Sequence, residues 1–254
     1  MRIVLIQQNI EWGKPLQNRQ NAEQAISKHP GADLYLLPEM FNTGFSIHPQ
    51  ELAEPANGET LLWMKRLADE TNAAIVASLM ILENGKFYNR MFFVSPNGRT
   101  TYYNKRHLFS YGDEDKHFTA GQERVIVGFR GWRFLLQICY DLRFPVFSRN
   151  CKDYDAILYV ANWPTSRLQV WKTLLHARAI ENQCFVAGVN RTGNDPVCNY
   201  PGASAIIDAY GHTLAECQTN RQDVCSAEID LEWLEAFRKK FPVLEDRDKF
   251  NLEK

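Results

Sequence analysis

The sequence has no apolar stretch long enough to span a bilayer, no Cys-x-x-Cys pair, no repeat of fixed period and no low-complexity block. A membrane-spanning helix needs about 20 consecutive apolar residues, so no membrane protein is expected. The six cysteines, Cys139, Cys151, Cys184, Cys198, Cys217 and Cys225, show no short paired spacing. A disulfide framework or a structural zinc site is built on such spacing, and neither is expected. Charge of one sign is not in surplus: 29 Lys and Arg stand against 30 Asp and Glu, for a net charge of −1. A nucleic-acid or anionic-membrane partner would call for a basic excess. The stretch from Met1 to Asn9 holds one basic residue and too few apolar ones for a signal peptide, which sets a cytoplasmic expectation.

What is present is globular. The chain has 254 residues, 45% of them hydrophobic and 12% aromatic. A chain of this length buries roughly 70–75% of its unfolded surface. No linker-like stretch interrupts it, so residues 1–254 read as one domain, with a highly charged tail from Leu244 onward. Apolar runs and alternation predict buried strands at Arg2–Gln8, Asp33–Pro38, Ala73–Leu82, Trp132–Ile138, Ala156–Ala161 and Phe185–Arg191. Further strands are expected at Ala203–Ala209 and Cys225–Ile229. Helical spacing predicts Pro15–Lys28, Glu59–Asn72 with Leu62, Trp63, Met64 and Leu67 inward, Arg167–Gln183 and Leu231–Lys240. Hairpins are expected about Pro96-Asn97-Gly98 and Arg130-Gly131. Hairpins mixed with strand–helix–strand units imply a layered α+β or α/β domain.

Three apolar runs stop abruptly at a reactive side chain: Leu36-Leu37-Pro38-Glu39, Tyr102-Tyr103-Asn104-Lys105 and Leu135-Leu136-Gln137-Ile138-Cys139. Strand ends are where α/β folds gather sites from distant parts of the chain. Each residue has an ordinary use: a solvated loop glutamate, a snorkelling lysine, a small apolar cysteine. Together they make chemical sense. A thiol needs a base and a positive field to become a nucleophile, and an ammonium also stabilises an oxyanion.

These stretches, extended to Glu39-Met40-Phe41, Lys105-Arg106-His107-Leu108-Phe109 and Cys139-Tyr140-Asp141-Leu142-Arg143-Phe144-Pro145, resemble the three catalytic signatures of the nitrilase superfamily of carbon–nitrogen hydrolases. Ala161-Asn162-Trp163-Pro164, Ala177–Gln183 and Asn190-Arg191-Thr192-Gly193 extend the resemblance over nearly the whole chain. The resemblance implies a four-layer α-β-β-α sandwich with mixed sheets, a homodimer buried through one helical face, and no metal or organic cofactor. It implies Glu39 as general base, Lys105 as electrophilic cation and Cys139 as nucleophile, with the Tyr140 main-chain N–H completing an oxyanion site. A second glutamate of the family falls in Tyr111–Gly121; its offset from Gly121 favours Glu114 over Asp113.

Within the superfamily the combined signatures resemble the ω-amidase branch. That resemblance implies hydrolysis of the terminal amide of 2-oxoglutaramate or 2-oxosuccinamate to a dicarboxylate and ammonia. Such a substrate carries a remote carboxylate, for which Arg143 and Arg167 are candidates. The ordinary use of either arginine is a surface or interface ion pair. Tyr111, Phe118 and Trp163 are candidate pocket walls, although aromatics more often fill cores.

Rival readings share the triad or dispense with it. A nitrile or an N-carbamoyl amino acid would use the same three residues. A thiol peptidase would pair Cys139 with His107 or His176 and leave Glu39 and Lys105 without a role. A non-catalytic binding dimer would need a damaged triad. Cys184 and Cys225 read as packing residues, Cys198 as a loop residue open to solvent, and His107 and His117 have no metal-ligand spacing.

Overall fold

The computed structural model describes residues 1–252; Glu253 and Lys254, the last two of the charged tail, lie outside the described residues. Six strands in the first half, β1 (Arg2–Gln7), β2 (Leu34–Leu36), β3 (Glu54–Pro55), β4 (Ala74–Glu83), β5 (Lys86–Val94) and β6 (Thr100–Asn104), build one sheet. The second half contributes β7 (Ile126–Phe129), β8 (Trp132–Ile138), β9 (Ala156–Ala161) and β10 (Phe185–Asn190), a small hairpin β11 (Thr192–Asn194) and β12 (Asn199–Pro201), then β13 (Ala205–Ile207) and β14 (Thr213–Glu216). A last strand, β15 (Asp223–Glu228), returns to pair with β1. The first sheet runs β15-β1-β2-β4-β5-β6, with β3 alongside β4, and the second β14-β13-β10-β9-β8-β7. Each has three parallel central strands, β1-β2-β4 and β10-β9-β8, continued by antiparallel ones, and the short β3 pairs parallel to the far end of β4.

The helices are α1 (Pro15–Ser27), α2 (Pro49–Leu52), α3 (Glu59–Thr71), α4 (Glu114–His117), α5 (Pro145–Ser148), α6 (Leu168–Asn182) and α7 (Leu231–Lys240). None among the described residues is long and apolar enough to cross a membrane.

Strand alternation sorts the core into three layers. Ile3, Leu5, Val76, Phe93, Leu136 and Val160 face between the sheets. Val4, Ile6, Ile75 and Phe92 face α1 and α3, which return Ala22, Ile26, Met64 and Leu67. Ile157, Tyr159 and Val186 face α6, which returns Trp171 and Leu175. The result is the expected four-layer α-β-β-α sandwich. Gly188 in β10 permits the α6 contact, since a Cβ there would lie 2.8 Å from Leu175 Cδ2 and 3.1 Å from Trp171.

Most expected elements stand within a residue or two of their predicted bounds. Some local readings are corrected. In α3 the inward residues are Leu61, Met64, Leu67 and Ala68, while Leu62 is exposed, because it sits about 100° round the helix from Leu61. Both expected hairpins form, β5–β6 about Pro96-Asn97-Gly98 and β7–β8 about Arg130-Gly131, and Asn84-Gly85, with φ of 52° and 72°, makes a further tight turn between β4 and β5. In Pro96-Asn97-Gly98 only Gly98 has positive φ. Cys225 lies within β15 rather than at its start, half-buried and packed against the core between the sheets as expected. The tail is anchored by Leu244, which is buried.

Candidate active site

The carboxyl ends of the parallel strands of both sheets open on one side of the sandwich. Glu39 follows β2, Lys105 follows β6, Cys139 follows β8 and Asn162 follows β9. Two of these exits are sharp elbows with left-handed backbone at non-glycine residues: Met40, φ 44°, and Cys139, φ 45°. Such positions cost about 1–3 kcal/mol each and are held by their surroundings. Ser78 Oγ accepts the Met40 N–H at 2.9 Å. Asp141 accepts the Ile138 N–H at 2.9 Å, the Tyr103 hydroxyl at 2.8 Å and the His107 main-chain N–H at 3.1 Å. One buried carboxylate therefore ties the chain around Lys105 to the elbow that presents Cys139.

The structure brings Glu39, Lys105, Glu114 and Cys139 together. Lys105 Nζ donates to Glu39 Oε1 at 3.0 Å and to Glu114 Oε1 and Oε2 at 3.1 and 2.8 Å. All three side chains are at most 1% exposed. Glu114 Oε2 also accepts the Phe109 N–H at 2.6 Å. Glu39 Oε2 accepts the Asn162 main-chain N–H at 2.8 Å, and Cys139 Sγ lies 3.9 Å from the Asn162 carbonyl. Gly121 seats against this frame: a Cβ there would stand 2.1 Å from the Asn104 carbonyl oxygen.

The charges follow from the geometry. Burial works against the Lys105 ammonium, but Glu114 and Glu39 outweigh it and hold its pKa well above the usual lysine range. Burial raises the Glu114 carboxyl, against the pull of Lys105 and with the help of Glu39. Burial and then the Glu39 carboxylate push the Cys139 thiol well up; Lys105 offsets only part of this. At rest the site holds an ammonium and a protonated thiol.

Asn89, which sequence reasoning missed, completes the cluster. Its Nδ2 donates to Glu39 Oε1 at 2.8 Å and to Glu114 Oε1 at 3.0 Å. The available signal was its phase: in β5 it alternates with Met91 and Phe93, a polar residue on the face that packs between the sheets.

A cavity of about 440 Å³ opens over Glu39, Lys105 and Cys139. Tyr140, Arg143, Trp163 and Arg167 line it as well. The arginines do not form the ion pairs that are their ordinary use; among the described residues neither has a carboxylate partner. Arg143 lies over the Trp163 ring at 5.5 Å and Arg167 over Phe109 at 5.2 Å. Two expected walls are elsewhere. Tyr111 is 85% exposed, because its short turn points it outward, and Phe118 is buried against Met40 and Met80. Cys198 is half-buried and lines the cavity rather than standing open in a loop. Among the described residues neither histidine of the peptidase reading hydrogen-bonds Cys139: His107 Nδ1 lies 2.7 Å from Asp141 Oδ1, and His176 Nε2 lies 3.1 Å from Thr213 Oγ1. Among the described residues no three His, Cys, Asp or Glu side chains are arranged to hold a metal ion.

The carbon–nitrogen hydrolase family model matches residues 2–239. The chain is 43% identical to the omega-amidase YafV of Yersinia enterocolitica, over 99% of this chain and 98% of that one. It is 38% identical to a 2-oxoglutaramate amidase of Bacillus subtilis, over 96% of each. Among solved structures it resembles XC1258 of Xanthomonas campestris, a CN-hydrolase superfamily protein with an arsenic adduct in its active site. That likeness has a TM-score of 0.96 and 41% identity, covering 100% of this chain and 99% of the other. With a thiol, a carboxylate and an ammonium gathered at the strand ends and relatives matching from end to end, the chain belongs to the carbon–nitrogen hydrolase family.

Proposed function

We propose that the chain, working as one domain, is an ω-amidase that converts 2-oxoglutaramate or 2-oxosuccinamate to the dicarboxylate and ammonia. The observation that carries this reading is the pairing, in one cavity, of the Glu39-Lys105-Cys139 cluster with two guanidinium groups that have no carboxylate partner among the described residues. A small amide with a distant carboxylate matches both ends. The relatives named for the same activity support it.

The mechanism starts from a protonated thiol. Glu39, within hydrogen-bonding reach of Cys139, takes its proton as sulfur attacks the amide carbon. The oxyanion forms beside the Tyr140 main-chain N–H. The hydrogen bonds of Lys105 Nζ already go to carboxylates, so it acts there as a fixed charge. Glu39 returns the proton to the leaving nitrogen, ammonia departs, and a thioester remains. Glu39 then draws a proton from water, which opens the thioester to the acid and restores the thiol. Glu114 holds Lys105 in place.

The same proposal includes a homodimer. Helix α6 is apolar beyond its core face: Trp171 and Leu175 point into the sandwich, Val170 and Leu174 pack at the edge of that core and are only partly covered, Ala177 is half-buried and Ile180 is exposed. Val146 of α5, 53% exposed, adds to that surface. Apolar surface left open on a helix calls for a partner.

Ammonia release from 2-oxoglutaramate, pentanamide, a simple nitrile and an N-carbamoyl amino acid tests the assignment, with Cys139→Ala alongside. The oxo-amide is expected to be the preferred substrate and Cys139→Ala to be inactive. Arg143→Gln or Arg167→Gln is expected to raise KM for the oxo-amide by about 10- to 100-fold, the loss of a charge-assisted contact, and to leave pentanamide unaffected. Equal cleavage of the two amides by wild type would overturn anion recognition.

A further inference from the structure

Four atoms close a ring of alternating donors and acceptors in the active-site cluster. Lys105 Nζ and Asn89 Nδ2 each donate to the same two oxygens, Glu39 Oε1 and Glu114 Oε1, at 2.8 to 3.1 Å. The ammonium bridges the carboxylates from one side and the amide from the other. Asn89 also accepts the Lys105 main-chain N–H at 2.9 Å, so it holds that residue by backbone and, through the carboxylates, by its charge.

A second observation shows what this arrangement costs. Asn89 is fully buried, and among the described residues its Oδ1 has no hydrogen-bond partner. Buried polar atoms are almost always paired, and an orphan acceptor is unfavourable. Turning the amide over would point Oδ1 at two carboxylate oxygens, so both N–H bonds are spent there and the carbonyl is left alone. A side chain kept only to fill space would not be amide-shaped.

We infer that Asn89 is a positioning residue for the hydrolysis: it fixes the separation of Glu39 and Glu114. Glu39 Oε1 is thereby committed to Lys105 and Asn89. Oε2, which also takes the Asn162 N–H, is left as the oxygen that exchanges the thiol proton. Asn89 contributes two hydrogen bonds to the anionic forms without adding charge, and removing it makes the carboxylates bind protons more readily. The inference deepens the reading of Glu39 as base and rests on it.

The test compares wild type, Asn89→Ala and Asn89→Asp by pH profiles of kcat/KM for 2-oxoglutaramate. In parallel, the pH dependence of Cys139 alkylation by iodoacetamide is followed, with melting curves to normalise for folded protein. Asn89→Ala is expected to lower kcat by about 10- to 100-fold with KM within about threefold, and to move the acid limb to higher pH. Asn89→Asp has the shape of the native residue but donates only while its carboxyl is protonated. Its profile is expected to cross that of Asn89→Ala, higher at low pH and lower at high pH. Wild-type profiles in both variants, or losses that follow only the folded fraction, would overturn the inference. If wild type released no ammonia from any amide, the ω-amidase reading would fall; the alkylation profiles would still decide the role of Asn89.

Discussion

At Cys139 the surroundings pull in opposite directions. Burial and the Glu39 carboxylate favour the thiol, while Lys105 favours the thiolate. Glu39 therefore suppresses the resting thiolate and removes the proton during attack. Glu39→Gln separates these effects. Hydrolysis is expected to fall by about 10²- to 10⁴-fold, the usual worth of a general base. Alkylation of Cys139 by iodoacetamide at neutral pH is expected to become faster than in wild type, because the repelling charge is gone. Parallel loss of both would contradict the assigned electrostatics. Glu39, Lys105 and Cys139 were legible in the sequence because each ends an apolar run with a polar or reactive group. Glu114 was legible only through its resemblance and its offset from Gly121. Asn89 was not, since one asparagine in phase with Met91 and Phe93 looks like a tolerated exception until its partners are known. The directions of Tyr111 and Phe118 depend on the turn and short helix between β6 and β7, where no periodicity assigns an inner face.

Among the elements, those with a full period of pattern were readable and those without were not. Helices α1, α3, α6 and α7 and the buried strands span enough residues for a 3.6 or 2 repeat to register. Segments α2, α4, β3, β11 and β12 have two to four residues each and exist only because neighbouring chain completes them. Contact between elements leaves a clearer trace at Gly188. The missing side chain lets Leu175 and Trp171 of α6 approach β10, so Gly188→Ala must push the helix outward. Overpacking of this kind costs about 1–3 kcal/mol. A drop in Tm of roughly 3–10 °C is expected, at about 2–4 °C per kcal/mol for a chain of this size. An unchanged Tm would mean that α6 is not seated as described. Gly121 has the corresponding duty at the site, where the obstacle is main chain rather than a yielding side chain.

Across the whole molecule, Asp155 joins parts far apart in sequence. It accepts from Arg133 Nη2 of β8 at 2.7 Å and from Arg238 Nη1 of α7 at 2.8 Å. Burial works to raise its pKa, but the two guanidinium partners prevail and hold the carboxyl below the usual range. A depressed folded value means that the stabilisation is full above the unfolded aspartate pKa, about 4, and is lost as pH falls through the folded value. Asp155→Asn is expected to cost about 2 kcal/mol near neutral pH, the lower side of a buried-pair loss because Arg133 is 45% exposed. Denaturant titrations are expected to show wild type and variant converging as pH falls below about 4. A gap independent of pH would mean that the carboxylate charge is not what matters there.

The seam between the sheets also orders events in time. Glu39, Asn89, Lys105 and Glu114 precede the only thiol that meets them, and Cys139 has its base only after β8 and β9 dock against the first sheet. A ribosome releasing this chain exposes the acid–base half first and the nucleophile later, so a product that stops short of Cys139 lacks the nucleophile. Two separately made fragments, divided between β6 and β7, would each be silent, and the return of ammonia release on mixing would report that the halves had found each other.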